Sequence, residues 1–494
     1  MLQDRDRAPA RQTLSHGTAR AIQWALTGLL LLTLLLNGAA DLDTRPPLML
    51  AASLILAFTL ALPIQERGTQ HLIRRILFLT LGLGAWALLQ AWPLPLWLPV
   101  HAIWRDLAET FNTGYGHISV NPDATRRALP GLILPFLVFV GSVLVTQSES
   151  LARKFWKKLS IVGFLVVLVS VIRQVFFPES LIFSGEPLRS GQFSGVFINR
   201  NVAASAFGLA GFALLGSLAI HLAEDASLSA QRRQTDHVSK FWTYVFLACA
   251  LFLTVLCLIL TRSRAGSLGS LIILLPCLFL VLRHGAQHRL PKFLSGRLAG
   301  ASLLMGLTCL IVLLAAYGEP VLSRVETTND QARWCTWAST LDAIKTNTFL
   351  GTGFATFQDI FPTYRNPTCD RASIAWHRAH NSFLEFYLGM GLPGLILLGS
   401  ISAICMQKII HGLKVRRRMK SVLIALIGAV LFVAVHSMVD FPLQIPGIAM
   451  YFSALLGVGV SFCLTNSGRH AKRRRSDVKS GQKVTRAPNV MPEP

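Results

Sequence analysis

The chain has 494 residues, of which 52% are hydrophobic and 14% charged, and its mean hydropathy is +0.51. Soluble domains carry about 25% charged residues, so this composition excludes an ordinary cytosolic enzyme. The 47 Lys and Arg against 24 Asp and Glu give a formal charge of +23. Nucleic-acid-binding proteins place basic residues on a soluble fold, whereas here they lie between long apolar runs, so we predict no nucleic-acid partner.

Apolar runs recur along the whole chain at the length that a helix needs to cross a membrane, about 20 residues. They predict an all-α, polytopic integral membrane protein with about twelve transmembrane helices. We place these near residues 21–40, 48–64, 72–90, 128–147, 159–177, 201–222, 241–260, 265–282, 298–317, 381–407, 421–439 and 446–464. The first run is longer than the apolar part of a signal peptide, so we predict a retained anchor.

The distribution of basic residues between alternate connections predicts the orientation. With the N-terminus inside, the inner segments contain 32 of the 47 Lys and Arg, and the outer segments contain 14. Cytoplasmic loops carry the excess of Lys and Arg in membrane proteins. We therefore predict that both termini are cytoplasmic.

This topology divides the chain into five parts. They are a cytoplasmic segment at 1–20, helices one to nine at 21–317, a large outer loop at 318–380, helices ten to twelve at 381–464 and a basic cytoplasmic tail at 465–494. In the large loop, aromatic and aliphatic side chains at helical spacing in 330–346 favour either an amphipathic helix on the membrane interface or a small packed outer subdomain. Cys335 and Cys369 also lie there, and the sequence leaves open whether they form a disulfide.

The unusual polar clusters all fall on the predicted outer side. They are residues 192–201, with Arg189 just before them, the turn 261–264, Arg333-Trp334, His380-Asn381 and the segment 436–446. Arginines at membrane depth mark an ion pair, a water-filled cavity or an anionic ligand, although they also extend to lipid headgroups. A guanidinium can hold two phosphate oxygens at once. We therefore predict a cationic phosphate pocket that includes Arg189, Arg200, Arg262 and Arg264.

His380 stands at the junction between the large loop and the tenth span. Asn381 or Ser382 is a suitable N-cap for that helix, and Glu385 follows one turn later. An imidazole gains and loses a proton near neutral pH, so a histidine beside a cavity mouth suits proton abstraction. We predict His380 as the catalytic base. A lone histidine is more often a structural residue than a catalyst, and we interpret three others in this way: His101, His117 and His377.

Several of these segments together resemble a known family. They are SGQFSGVFINRNVAASAF, the TRSRAG turn, Arg333-Trp334, the turn Gly351-Thr352-Gly353-Phe354 and HRAHNSFLEFYLGMGLPG. Over about residues 160–465, the chain resembles the bacterial O-antigen ligase and polymerase superfamily. The resemblance implies a GT-C-like inner-membrane protein that takes a saccharide from undecaprenyl diphosphate on the periplasmic face. The acceptor is the lipid A core in ligases and another lipid-linked repeat unit in polymerases.

The residues suit such a transfer without a metal or another cofactor. A diphosphate leaves readily once its charge is neutralised, for which the candidates are Arg189, Arg200, Arg262, Arg264 and Arg333. His380 would deprotonate the acceptor hydroxyl, and direct displacement would invert the anomeric carbon. Supporting candidates are Asn199, Asn201, Asn381, Glu385, His436 and Asp440. Asp440 would orient His436, pair with an arginine or cap the twelfth helix. The implied partners are the lipid-linked donor, the lipid A core or another glycan acceptor, and membrane lipids.

Other functions stay open at this stage. Ligation to the lipid A core is favoured, with polymerisation of repeat units and transfer to a protein as alternatives within the same class. Asp41 and Asp43 in the first outer loop form a rival metal site, since paired carboxylates bind Mg²⁺ or Mn²⁺. A transporter is a different class, but its substrate site would lie near the bilayer centre, often in repeated halves. Here the polar groups gather on one face.

Overall fold

The computed structural model describes residues 7–40, 45–64, 66–181, 193–225, 237–287, 329–366, 376–416 and 419–464. Its α-helices are α1 (Arg7–Leu35), α2 (Arg45–Leu60), α3 (Arg67–Gln90), α4 (Ala102–Phe111), α5 (Pro122–Leu144), α6 (Glu149–Phe176), α7 (Arg200–Asp225), α8 (His237–Leu260), α9 (Gly269–Gln287), α10 (Asn329–Asn347), α11 (Phe357–Tyr364), α12 (Ser382–Val415), α13 (Lys420–Ser437) and α14 (Pro446–Leu464). The strands of this part are β1 (Leu94–Pro95) and β2 (Tyr115–Gly116), which pair antiparallel.

Ten helices of the described part are long and apolar enough to cross a membrane, which confirms the predicted all-α, polytopic membrane fold. The predicted second span corresponds to α2, which is a shorter apolar helix. The predicted ninth span, 298–317, lies outside the described residues. The Gly- and Ala-rich run at 201–222 is part of α7, a continuous helix.

Helix α7 is the central helix of the bundle, because nearly every residue along it is buried. Its small residues allow large neighbours to pack close to its backbone. A side chain at Gly208 would collide with the ring of Phe432, and one at Gly216 would collide with the indole of Trp156. Such close approach at small residues is the usual way in which helices associate inside a membrane.

Several connections meet at one end of this bundle, which we call the loop end. It comprises the described residues of 91–121, 193–199, 261–263, 348–381 and 438–445. The amide of Val120 donates to the carbonyl of Thr352 at 2.9 Å, and the amide of Ser382 donates to the carbonyl of Asp440 at 3.2 Å. These bonds hold the segments 91–121, 348–381 and 438–445 together at the loop end, although they are far apart in sequence.

Helices α10 and α11 form a small packed layer at the loop end. Its core contains Ala343, Ile344, Phe357, Ile360, Phe361, Ala379 and Leu388. The sequence predicted a helix at 330–346 and left its setting open between the membrane interface and an outer subdomain. The shared core favours the packed subdomain, although Trp334 is 67% exposed on the outside of α10.

This layer is fastened to α12 through two glycine-containing turns. The amides of Thr352 and Gly353 donate to the carbonyls of Leu388 and Gly389 at 2.8 and 3.0 Å. Opposite them, α12 is interrupted at Gly391, whose φ of 60° and ψ of −165° suit glycine alone. The 351–353 turn therefore uses its amides to hold the fold together and does not form a phosphate loop.

The connection between α3 and α5 is a compact unit rather than an open loop. It contains the β1–β2 pair and the short helix α4. The indole of Trp104 in α4 donates to the carbonyl of Ser119 at 2.8 Å, and the amide of Ser119 donates to the backbone carbonyl of Gln90 at 2.8 Å. The unit is thereby attached to the end of α3.

Candidate active site at the loop end

The backbone holds His380 in a strained position at the start of α12. Asn381 is the N-cap, and its side-chain oxygen accepts from the amides of Phe383 and Leu384 at 3.1 and 3.0 Å. His380, one residue earlier, has a φ of 50°, which is uncommon for a residue other than glycine. Strain of this kind persists where the surroundings determine the conformation, and it is frequent at functional sites.

Two contacts to Ala379 determine this conformation. The Glu385 carboxylate accepts from the Ala379 amide at 2.8 Å and forms an ion pair with Arg378 at 3.1 Å. The indole of Trp337, from α10, donates to the Ala379 carbonyl at 2.9 Å. Glu385 therefore fixes the segment that carries His380.

Asp440 is the direct partner of His380. The Nδ1 atom of His380 lies 3.3 Å from Oδ1 of Asp440, and the carboxylate is buried while the imidazole is 22% exposed. Burial alone would raise the pKa of Asp440, but the hydrogen bond from His380 and the charges of His436, His380 and Arg333 hold it below its ordinary value. An ionised carboxylate only accepts hydrogen bonds. The Nδ1 atom must therefore carry the proton, which leaves Nε2 as the basic nitrogen.

The backbone of the 438–445 segment is anchored to α12, so Asp440 stays beside His380. The hydroxyl and the amide of Ser382 both donate to the Asp440 carbonyl, at 3.1 and 3.2 Å. The amide of Phe441 donates to Oδ1 of Asp440 at 2.9 Å. The ring of Phe441 packs edge-on against His380 with 5.0 Å between centroids, and Trp376 packs against it from a second direction.

His436 lies behind this pair in the interior of the bundle. Its Nδ1 atom is 3.1 Å from the hydroxyl of Ser205 on α7, and its Nε2 atom is 4.0 Å from Oδ2 of Asp440. The side chain is 1% exposed, and Nε2 has no hydrogen-bond partner among the described residues. The carboxylate of Asp440 thus lies between two histidines, of which His380 is the partly exposed one.

The predicted arginines lie around this cluster in different settings. Arg333 is half-buried, its Nη1 atom lies 3.4 Å from the carbonyl of Val439, and its charge acts on Asp440. Arg262 and Arg264 are exposed in a turn where Arg262 has a φ of 51°. The π-helical turn Arg264–Leu268 that begins there packs against α7 and His436, since a Cβ at Gly266 would lie 2.5 Å from Cβ of Ala204 and 3.3 Å from the His436 ring.

The remaining predicted residues have local roles or lie outside the described residues. Arg200 is half-buried at the start of α7. Asn199 accepts from the amide of Asn201 at 2.7 Å, and the carbonyl of Asn201 accepts from the hydroxyl of Ser205. These residues define the start of α7. Four predicted residues lie outside the described residues: Arg189, Asp41, Asp43 and Cys369. Cys335 takes part in a disulfide.

The residues that sequence reasoning missed are partners rather than reactive groups. The pairing of His380 with Asp440 was not predicted, and neither were the contacts of Ser205, Ser382 and Trp337 with the cluster. The sequence did carry a signal for Ser382. This residue directly follows the N-cap Asn381, so its hydroxyl lies in the same turn as His380. Ser205 offered none, since a serine in an apolar helix is ordinarily bonded to its own backbone.

The match with known proteins agrees with this arrangement. A comparison with curated proteins finds no similar sequence. Residues 249–399 match the family described as O-antigen ligase. This segment runs from within α8 to within α12 and therefore contains Arg262, Arg264, Arg333 and His380. The match confirms the resemblance of this integral membrane protein to the O-antigen ligase and polymerase superfamily.

Proposed function

We propose that the protein transfers a saccharide from undecaprenyl diphosphate to the hydroxyl of an acceptor, with the lipid A core as the favoured acceptor. The observation that carries the proposal is the pair of His380 and Asp440. The pair lies at the loop end beside the segments that contain the arginines, and the imidazole of His380 is partly exposed. A hydroxyl is a poor nucleophile and a diphosphate is a good leaving group, so a base and several cations are what this transfer needs.

In the proposed step, Nε2 of His380 takes the proton of the acceptor hydroxyl as its oxygen attacks the anomeric carbon. The bond between that carbon and the diphosphate oxygen breaks, and undecaprenyl diphosphate leaves with the electron pair. Because attack and departure occur on opposite sides, the anomeric configuration inverts. Asp440 holds the Nδ1 proton and stabilises the imidazolium that forms.

We propose that arginine side chains, rather than a metal ion, neutralise the negative charge of the leaving diphosphate. Arg333 is the best-supported member, since its charge already acts on Asp440 and His436. Arg200, Arg262 and Arg264 complete the described set, and Arg189 is carried over from the sequence prediction. We propose the periplasmic face of the inner membrane as the location of the site, with both termini in the cytoplasm.

A gene deletion followed by electrophoresis of surface polysaccharide tests the proposed acceptor. If the protein ligates polymer to the lipid A core, the mutant loses long polymer from that core while lipid-linked polymer accumulates. Complementation with the wild-type gene should restore the ladder, and complementation with His380→Ala should not. A mutant that retains a single repeat unit on the core would point to polymerisation instead. Loss of a protein-linked glycan would point to transfer to protein.

A further inference from the structure

The 91–121 unit, which connects α3 to α5, contains a short helix in which no residue is buried. Helix α4 begins after its N-cap His101, whose Nδ1 atom accepts from the amide of Ile103 at 3.3 Å. It ends after ten residues at Asn112, whose φ of 52° is left-handed. A helix of this length is marginal in water unless one of its sides packs on an apolar surface. The surroundings of α4 therefore have to supply such a surface.

The side chains of α4 divide into an apolar and a polar side. Ile103, Leu107 and Phe111 follow one another at intervals of four residues, so they lie along one side of the helix, with Trp104 next to them. The opposite side carries the polar residues, which are Arg105, Asp106, Glu109 and Thr110. This division is typical of a helix that lies along the boundary between an apolar and an aqueous phase.

The protein covers one edge of the apolar side and leaves the other edge exposed. The ring of Trp104 packs edge-on against His117 with 4.9 Å between centroids. A Cβ at Gly116 of β2 would lie only 2.6 Å from Cβ of Trp104, so the helix is in close contact with the strand there. At the other edge Ile103 is exposed and Phe111 is 68% exposed. The strand thus provides only part of the apolar surface that α4 needs.

The exposed rings of the unit continue the lipid-facing surface of α3. That helix is long and apolar enough to cross a membrane, and Phe78, Leu81 and Leu88 are exposed on it at helical spacing. Trp92 is the next position of this row, four residues after Leu88, and Trp97 beyond it is 81% exposed. Tryptophan rings gather where the hydrocarbon of a membrane meets the headgroups. The row therefore leads from the bilayer to its surface.

Both ends of the unit are attached to membrane-spanning helices. The amide of Ser119 donates to the carbonyl of Gln90, the last residue of α3, at 2.8 Å. Asn121 is the N-cap of α5, which is also long and apolar enough to cross a membrane. The unit is therefore held at the ends of two neighbouring spans, which is the depth of the headgroups.

We propose that the 91–121 unit lies in the headgroup region of the membrane leaflet at the loop end. The exposed edge of α4 and the ring of Trp97 point toward the acyl chains, and the polar side of α4 faces water. The partner is the lipid itself, because the exposed side chains are apolar or aromatic and their surface continues that of a span. The inference does not depend on the proposed function.

The lipid contact also supports the packed layer of α10 and α11. The amide of Val120 donates to the carbonyl of Thr352, and the side-chain amide of Asn121 donates to Asp359 at 3.1 Å. Through these bonds the unit carries the layer whose Trp337 holds the Ala379 carbonyl. A unit embedded in the leaflet therefore keeps this layer at a constant height above the membrane.

Spin labels on the two sides of α4 test the proposal in the full-length protein. The protein is studied in nanodiscs of phosphatidylethanolamine and phosphatidylglycerol, with the exposed Cys249 replaced by serine. Ile103→Cys and Phe111→Cys place a nitroxide on the apolar side, and Arg105→Cys and Glu109→Cys are the matched controls on the polar side. Oxygen concentrates in the bilayer, whereas a nickel chelate stays in water. We expect the ratio of oxygen to nickel accessibility to be severalfold higher at 103 and 111 than at 105 and 109.

Two results would overturn the proposal. Equal ratios at all four positions would show that α4 is surrounded by water. Protection of the labels at 103 and 111 from both reagents would show that protein, and not lipid, covers the apolar edge.

Trp97 provides a second measurement that leaves α4 unchanged. The protein is labelled with 5-fluorotryptophan, and the fluorine resonance that disappears in Trp97→Phe is assigned to this residue. A lipid with a nitroxide near the top of its acyl chain should broaden the resonance severalfold more than a gadolinium chelate in the buffer does. Stronger broadening by the chelate would place Trp97 in water and would contradict the proposed position of the unit.

Discussion

At the scale of single residues, the central feature is a histidine whose two nitrogens have different roles. Asp440 is ionised and buried, so it fixes the proton on Nδ1 of His380 and leaves Nε2 free to act as a base. A carboxylate in this position also stabilises the imidazolium that forms during proton transfer. We therefore propose that Asp440 is a positioning residue, which would act on the substrate through His380.

Asp440→Asn tests the positioning role. The amide nitrogen of Asn can donate to Nδ1, which would favour the tautomer with the proton on Nε2 and remove the basic nitrogen. We expect the rate of transfer to fall about 10²–10⁴-fold, with donor binding unchanged. The rate is measured by single turnover in nanodiscs. Asp123→Asn is the matched control, because Asp123 is exposed and paired with Arg127 away from the site. A rate within about twofold of wild type for Asp440→Asn would contradict the assigned role.

At the scale of elements, the break in α12 connects the helix that follows His380 to the packed layer of α10 and α11. The helix begins at Ser382, two residues after His380, and is interrupted at Gly391, where the 351–353 turn packs against it. A sequence can predict each glycine turn by itself, because turn propensity is local. The 351–353 turn and the break at Gly391 lie about 40 positions apart in the chain. The sequence carries no local signal that these two turns pack against each other.

Gly391→Ala tests this contact. A Cβ at residue 391 would lie 2.6 Å from the Gly351 amide nitrogen and 2.6 Å from the Phe349 carbonyl oxygen, and the backbone there has a φ of 60°. We expect the free energy of unfolding to fall by about 1–3 kcal/mol, seen as a lower Tm in a thermal-shift assay. Gly399→Ala in the same helix is the control, since a Cβ there meets open space. Equal Tm values for the two variants would show that the turn tolerates a side chain.

At the scale of the whole molecule, the sequence predicted the membrane spans well because each span is a local property of about 20 apolar residues. The ten long apolar helices of the described part follow those runs closely. The compact unit at 91–121 was not predicted, since its two strands have two residues each and carry no periodic pattern. The sequence predicted His380 and Asp440 as site residues separately, but their pairing arises from tertiary structure across 60 positions.

The orientation in the membrane is a prediction at this same scale. Alkaline phosphatase fused after Phe349 should be active, because that residue lies at the loop end, which we place in the periplasm. The same enzyme fused after Val415, at the other end of α12, should be inactive, and a fluorescent protein fused there should fluoresce. The reverse pattern would mean that the loop end faces the cytoplasm and would contradict the orientation predicted from the basic residues.

The most direct test of the whole account is the rate of saccharide transfer by His380→Ala. Purified wild-type protein in nanodiscs, given the lipid-linked donor and the acceptor in buffer with EDTA, should form the glycosidic bond. His380→Ala should bind the donor as tightly as the wild type but transfer about 10²–10⁴-fold more slowly, because the base is lost while the arginines remain. Transfer by His380→Ala within about twofold of the wild-type rate would contradict the assignment of His380 as the base.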